Sequence, residues 1–120
     1  MDALAAHAVR ESEWFTPLSR TERRRLTELL GRLVRDRFGL RLVFHHHADT
    51  HVEYPEQVER YLGDTDPAVV DLCFDLGHYE YRGGDSVDLM RRHHARVPYL
   101  HLKSVDLAIR EHVLATDPPF

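Results

Sequence analysis

The stretch VVDLCFDLGH, residues 69–78, is apolar for most of its length and then ends on Asp75, Gly77 and His78. A nearly continuous apolar run of this length is typical of a strand that is buried on both faces of a parallel sheet. We therefore predict a strand over residues 69–75 that ends on a carboxylate, with an imidazole just beyond it. In parallel α/β folds, functional groups lie where the carboxyl ends of the strands meet the following loops.

Helices and strands alternate on both sides of this strand. A capping box at residues 19–22 and the glycine stop Gly39 predict a helix between them, whose leucine-rich face should pack on a flat surface. The other predicted elements are a strand at 40–44, the loop HHHADTH, a helix from Pro55, a helix after Gly83 and Gly84, and a strand at 97–103. This order predicts one α/β domain over residues 1–120, with about three parallel strands.

Composition indicates a single globular domain and excludes several function classes. The 120 residues are 42% hydrophobic and 30% charged, with a formal net charge of -4 that does not favour nucleic acid as a partner. No apolar run approaches the ~20 residues of a membrane span, and the first 14 residues do not resemble a signal peptide. The single Cys73 lies in the apolar run, which predicts a buried thiol and a cytoplasmic protein.

Acidic and histidine side chains lie at or just after the ends of all three predicted strands. Glu53, Asp75, His78 and His101 should therefore meet at one end of the sheet, where their oxygen and nitrogen atoms would suit Mn, Co, Zn or Mg. Each residue also has a structural alternative: Asp75 could cap a turn, His101 could be a hydrogen-bonded core histidine, and Glu53 could be a surface acid. Their occurrence together favours a site.

The HHH triplet does not predict a metal site by itself. Side chains alternate along a strand, so that His45 and His47 can face one side together. His46 should then face the helices or solvent.

The motifs HHHADTHVEYPEQ, DLGH and VPYLHLK, in this order and each at a predicted strand end, resemble the sugar phosphate isomerase/epimerase superfamily of xylose isomerase-like TIM barrels. The inosose dehydratase-like branch is the most similar, over roughly residues 15–106. The resemblance implies a partial (β/α) TIM-type barrel that uses a divalent metal (Mn, Co, Zn or Mg). Its implied metal ligands are Glu53, Asp75 and His101, and its implied substrate contacts are His78 and, more weakly, Lys103, His45 and His47.

The resemblance also implies a reaction class. A small polyol, ketose or inosose would pass through an enediolate-type intermediate, giving isomerisation, epimerisation or dehydration. Glu53, His78 and Lys103 are the candidate catalytic residues. The sequence departs from the family motifs at four positions, which are Asp49 for Gly, Leu76 for Thr, Tyr99 for His and Ser104 for Asp.

Chain length leaves an alternative open. A closed eight-stranded barrel takes ~250 residues, whereas three strands are predicted here and the strand expected to carry a second metal-binding Glu is missing. The alternative to an enzyme domain is a non-catalytic barrel remnant that binds a sugar or a partner subunit. A barrel endonuclease would require further metal ligands and a basic surface. The uncovered strand edges predict a homo-oligomer.

Overall fold

The computed structural model describes residues 18–116, which form a three-stranded parallel sheet flanked by helices. In chain order the elements are α1 (Arg20–Phe38), β1 (Leu42–His45), α2 (Pro55–Asp64), β2 (Val70–Asp75), α3 (Leu76–Tyr81), α4 (Ser86–His93), a 3₁₀ turn (His94–Arg96), β3 (Tyr99–His101) and α5 (Leu107–Thr116). The predicted α/β class and the partial parallel sheet are confirmed. The predicted absence of a signal peptide concerns residues that lie outside the described range.

β2 is the central strand, and every residue in it is buried. It pairs in parallel with β1 on one side and with β3 on the other. Leu72 and Phe74 point toward the helices and are completely buried. Because side chains alternate, Cys73 and Asp75 point to the opposite face, the face that a closed barrel would enclose. Cys73 is buried, as predicted.

The hydrophobic core lies between the sheet and α2, α3 and α4. Its fully buried members are contributed by four elements: Val58, Leu62, Leu72, Phe74, Tyr79 and Leu89. Each large apolar side chain buried in this way contributes about 1.5–3 kcal/mol to folding. This core holds β2 and the start of α3 in place, and so determines where the end of β2 lies.

The ends of α1 follow the prediction, but its packing does not. The Ser19 hydroxyl accepts a hydrogen bond from the Glu22 N–H, the Glu22 carboxylate accepts one from the Ser19 N–H, and Gly39 ends the helix with φ 64°. The leucine face of α1 was expected to pack on a flat surface, yet its leucines are 41–57% exposed. Instead, α1 meets the sheet through Gly31, which lies against Val69. The described residues therefore leave most of the apolar stripe uncovered.

Two helices were not predicted. α3 follows β2 without a loop, because the side chain of Asp75 caps the new helix by accepting a hydrogen bond from the His78 N–H. α5 follows β3 and packs against α3. Within residues 18–116, no helix combines the length and the apolar character that a membrane span requires.

Candidate functional site

The three strands end on three residues that carry metal-binding or proton-transferring groups. β1 ends at His45, β2 at Asp75 and β3 at His101. The parallel register pairs His45 with Cys73 and Asp75 with His101, so the three ends lie along one edge of the sheet. Asp75 Oδ2 is 3.2 Å from His101 Nδ1 and 3.4 Å from His45 Nε2. These three strand ends therefore lie together, and it is His45, rather than the predicted Glu53, that the structure brings to Asp75 and His101.

Asp75 is the centre of this cluster. Its side chain is completely buried, and its two oxygens have different partners. Oδ1 accepts the capping hydrogen bond from the His78 N–H at 3.1 Å, whereas Oδ2 faces the histidines and forms an ion pair with Lys103 Nζ at 2.7 Å. Burial alone would raise the pKa of Asp75, but the hydrogen bonds from Lys103 and the His78 backbone outweigh burial and lower it. The carboxylate is therefore ionised at neutral pH.

His78 is the second buried group of the site. Burial lowers its pKa to about 4, against the opposing effect of the Asp75 carboxylate, so that the imidazole is neutral at pH 7. The Lys103 ammonium, which can only donate, lies 3.2 Å from His78 Nε2. His78 Nε2 therefore presents a lone pair to the centre of the cluster. The ring of His47 lies beside that of His78, with centroids 3.6 Å apart.

The donor atoms of this cluster fit a divalent metal ion. One ligand atom from each of His45, Asp75 and His78 lies within 4.8 Å of the other two. Two imidazole nitrogens and one carboxylate oxygen are a suitable ligand set for Zn or Mn, and neutral imidazole is the form that binds metal. His101 Nδ1 lies 3.2 Å from the same Asp75 oxygen, but His101 is not part of this compact set.

Glu53 has a different environment from the other predicted ligands. Its Oε2 lies 2.8 Å from Arg82 Nε and accepts a hydrogen bond from the Asp49 N–H at 2.8 Å. Arg82 is buried, forms a second ion pair with the Asp49 carboxylate, and lies over the ring of Tyr54. Glu53, which was predicted as a metal ligand, is not part of the compact ligand set and is paired with Arg82 instead.

Asp49 explains one of the departures from the family motifs. It has φ 59°, a left-handed conformation that favours glycine, and it stands where the family usually has glycine. Aspartate tolerates this region better than most residues do. Here its side chain also provides a partner for Arg82.

His46 and Arg82 are the important residues that sequence reasoning did not place. His46 is completely buried and stacks on Phe74 with ring centroids 5.5 Å apart, on the helix side of the sheet. Of the two directions that the sequence left open, helices or solvent, the structure shows the first, and the complete burial of the ring was not predicted. No pattern in the sequence indicated Arg82, because its carboxylate partners lie about thirty residues earlier in the chain.

Comparison with known proteins agrees with this geometry. Residues 2–117 match the family described as "xylose isomerase-like TIM barrel". The chain belongs to this family. The superfamily resemblance and the fold class inferred from the motifs are therefore confirmed.

Relatives in this family include several proteins named inosose dehydratase. The one from Bacillus licheniformis is 35% identical over 113 residues, which are 92% of this chain and 37% of the relative. The one from Geobacillus kaustophilus is 46% identical over 67 residues, covering 56% and 22%, and the one from Clostridium beijerinckii is 33% identical over 84 residues, covering 70% and 28%. The chain thus spans less than two fifths of each of these relatives.

Membership of the xylose isomerase-like family gives the cluster a context. The family barrel carries its functional groups at the carboxyl ends of its strands, and His45, Asp75 and His101 occupy that position here. The chain is also similar, over part of their length, to proteins named inosose dehydratase.

Proposed function

We propose that this chain is part of a metal-dependent sugar isomerase, epimerase or inosose dehydratase that acts on a small polyol, ketose or inosose. The observation that carries the proposal is the set of ligand atoms from His45, Asp75 and His78 at the carboxyl ends of the strands. The names of the relatives support an inosose or a related sugar as substrate.

The proposed metal site uses side chains that are already oriented. His45, Asp75 and His78 would hold the ion, and His101 would join them from β3. When bound, a divalent ion would polarise neighbouring carbonyl and hydroxyl oxygens of the sugar and stabilise negative charge on them. The complete burial of Asp75 supports this role, because the carboxylate has no competing contact with bulk water.

Three residues are proposed to act on the substrate. Glu53, held by Arg82 at the rim of the site, is a candidate to take a proton from the carbon next to the carbonyl. His78, which is neutral at pH 7, and Lys103 are candidates to contact substrate oxygens. His47 lies against His78 and would shape the same side of the site.

Metal titration tests the proposal directly. Asp75→Asn removes the charge but keeps an oxygen that can cap α3, so the fold should be retained. We expect calorimetry with Mn²⁺ or Co²⁺ to show binding to the wild type and a loss of at least tenfold in affinity for Asp75→Asn. Ser104→Ala, which alters an exposed neighbour of the site, should titrate like the wild type. Identical titrations for the wild type and Asp75→Asn would contradict the proposal.

A second proposal concerns assembly. β1 and β3 each have one edge that no described strand pairs with, and Tyr99, Leu100 and Leu102 beside the β3 edge are 40–77% exposed. Open parallel edges with apolar neighbours favour pairing with another chain. We propose a homo-oligomer in which a second copy covers this face.

Light scattering at micromolar concentration tests the assembly, and a folded monomer with a cooperative melt would contradict it. A folded oligomer that binds sugar but no metal would instead favour the non-catalytic alternative.

A further inference from the structure

Lys103 contacts two residues of the proposed metal site. Its Nζ is 2.7 Å from Asp75 Oδ2 and 3.2 Å from His78 Nε2. These two residues provide two of the three donors in the compact ligand set. The Lys103 ammonium is therefore the positive charge that balances the buried Asp75 carboxylate.

The lysine is unusual for this chain. The sequence has 16 lysine and arginine residues together, and Lys103 is the only lysine among them. An ammonium is a compact point charge on a flexible stem, whereas a guanidinium is a broad planar fork. Of the two basic side chains, lysine is the closer substitute for a small metal ion.

The path of the lysine stem depends on Gly77. A Cβ atom added at Gly77 would lie 2.7 Å from Lys103 Cβ, 2.8 Å from Lys103 Cδ and 3.3 Å from Asp75 Oδ1. Gly77 is not in a left-handed conformation, so close approach is what requires the glycine here. The backbone of α3 therefore leaves a space through which the stem of Lys103 reaches Asp75.

We propose that Lys103 is a tethered cation that fills the metal position in the metal-free protein and must leave Asp75 and His78 when a divalent ion binds. This inference rests on the proposed metal function. The ammonium and a divalent ion would require the same carboxylate oxygen and the same imidazole nitrogen, and their like charges exclude sharing. The Lys103 side chain is 47% exposed, so it has open space into which it can move.

Two consequences follow for the site. The ammonium keeps the buried Asp75 charge paired while no metal is present, which stabilises the empty site. It also weakens metal binding, because part of the binding free energy is used to displace it. A lysine that only supports the ligands would act in the opposite direction, since its removal would weaken metal binding.

Metal titration of Lys103→Met distinguishes these two roles. Methionine keeps a flexible stem over Gly77 and removes the charge. The wild type must break the hydrogen bonds of the Lys103 ammonium to Asp75 and His78 before it binds metal, and hydrogen bonds to charged groups contribute measurably to stability. We therefore expect Lys103→Met to bind Mn²⁺ or Co²⁺ on the order of tenfold more tightly than the wild type. Ser104→Ala, changed at the adjacent exposed position, should show wild-type affinity. Circular dichroism would verify that each variant is folded.

Amine labelling of the wild type provides a test that needs no variant. With one lysine in the sequence, an acylating reagent reports on Lys103 alone, apart from the amine at the start of the chain, which serves as an internal reference. Saturating Mn²⁺ should increase the rate of Lys103 acylation several-fold, to about tenfold, because the amine loses its two partners. The rate at the reference amine corrects for any direct effect of Mn²⁺ on the reagent.

The outcomes separate this inference from the proposed function. Tighter binding by Lys103→Met together with faster labelling in metal supports the inference. Metal binding by the wild type with equal or weaker binding by Lys103→Met, or with slower labelling in metal, overturns the inference and leaves the metal function intact. If Lys103→Met does not fold, the labelling result alone decides. Absence of metal binding in both folded proteins overturns the metal function, and the inference with it.

Discussion

Acid should destabilise this protein well above the pH at which carboxylates titrate, and His46 should be a principal cause. His46 is completely buried, with its ring against those of Phe74 and Tyr79. Its pKa is lowered from 6.5 to about 4, mainly by burial and also by the nearby imidazoles of His45 and His78, against the opposing effects of the Asp75 carboxylate and a hydrogen bond with the Asp75 backbone. The histidine is therefore neutral in the folded protein at pH 7.

The sign and size of the effect follow from linkage. Because the folded pKa is below the unfolded value, the unfolded chain takes up the proton first as the pH falls. The contribution of the neutral His46 to the free energy of unfolding is fully present above about pH 6.5. It decreases as the pH falls from 6.5 to about 4 and does not change further below pH 4. Each unit of difference between the folded and unfolded pKa corresponds to about 1.4 kcal/mol. His46 alone should therefore lower the free energy of unfolding by about 2 kcal/mol between pH 7 and pH 5.

The perturbation is His46→Leu, measured by urea denaturation at pH 7, 6 and 5. The variant should lose about 2 kcal/mol less stability than the wild type between pH 7 and pH 5. This difference in pH dependence is separate from any packing cost of the leucine, because that cost is present at every pH. His78, which is also buried with a pKa of about 4, should retain its own contribution in the variant.

His51→Gln is the matched control, because it removes an exposed histidine from the loop that follows β1. Its pH dependence should equal that of the wild type. If His46→Leu loses as much stability as the wild type between pH 7 and pH 5, His46 is not held neutral by burial and the reasoning fails.

Two further predictions concern the frame that supports the site. Gly31→Ala should lower stability by about 1–3 kcal/mol, because the new Cβ would lie 2.2 Å from Val69 Cγ1 and 3.0 Å from the Val69 carbonyl oxygen. In the control variant Gly63→Ala the new Cβ has no atom within 4 Å, so this variant should melt at or above the wild-type temperature. Equal losses of stability in the two variants would refute the close contact between Gly31 and Val69. Arg96→Met should cost about 3 kcal/mol in urea denaturation, since Arg96 donates to two backbone carbonyls and a hydroxyl and pairs with the buried Asp71. A loss below about 0.5 kcal/mol would show that these contacts are replaced by water.

The sequence by itself determined the local structure and the order of the elements. The capping box at Ser19 and the glycine at Gly39 delimit α1 because these signals act within a few residues. The apolar run that ends at Asp75 specified a buried parallel strand, and with it the edge of the sheet at which His45, Asp75 and His101 meet. The alternative in which Asp75 caps a turn is present, but the helix α3 was not predicted, because it starts directly after the strand with no loop between them.

Only the tertiary structure decided how the side chains of the site pair with one another. The Glu53–Arg82 and Asp75–Lys103 ion pairs join residues almost thirty positions apart, and many charged residues in this sequence could have formed other pairs. The choice depends on distances of a few ångströms, such as the space that Gly77 leaves for the stem of Lys103. The periodicity of apolar residues predicts on which face of a strand or helix a residue lies. Ion pairs and the burial of charged groups depend instead on which atoms from distant segments of the chain are in contact. For this reason the position of the site could be predicted from the sequence, whereas the cation that balances Asp75 could not.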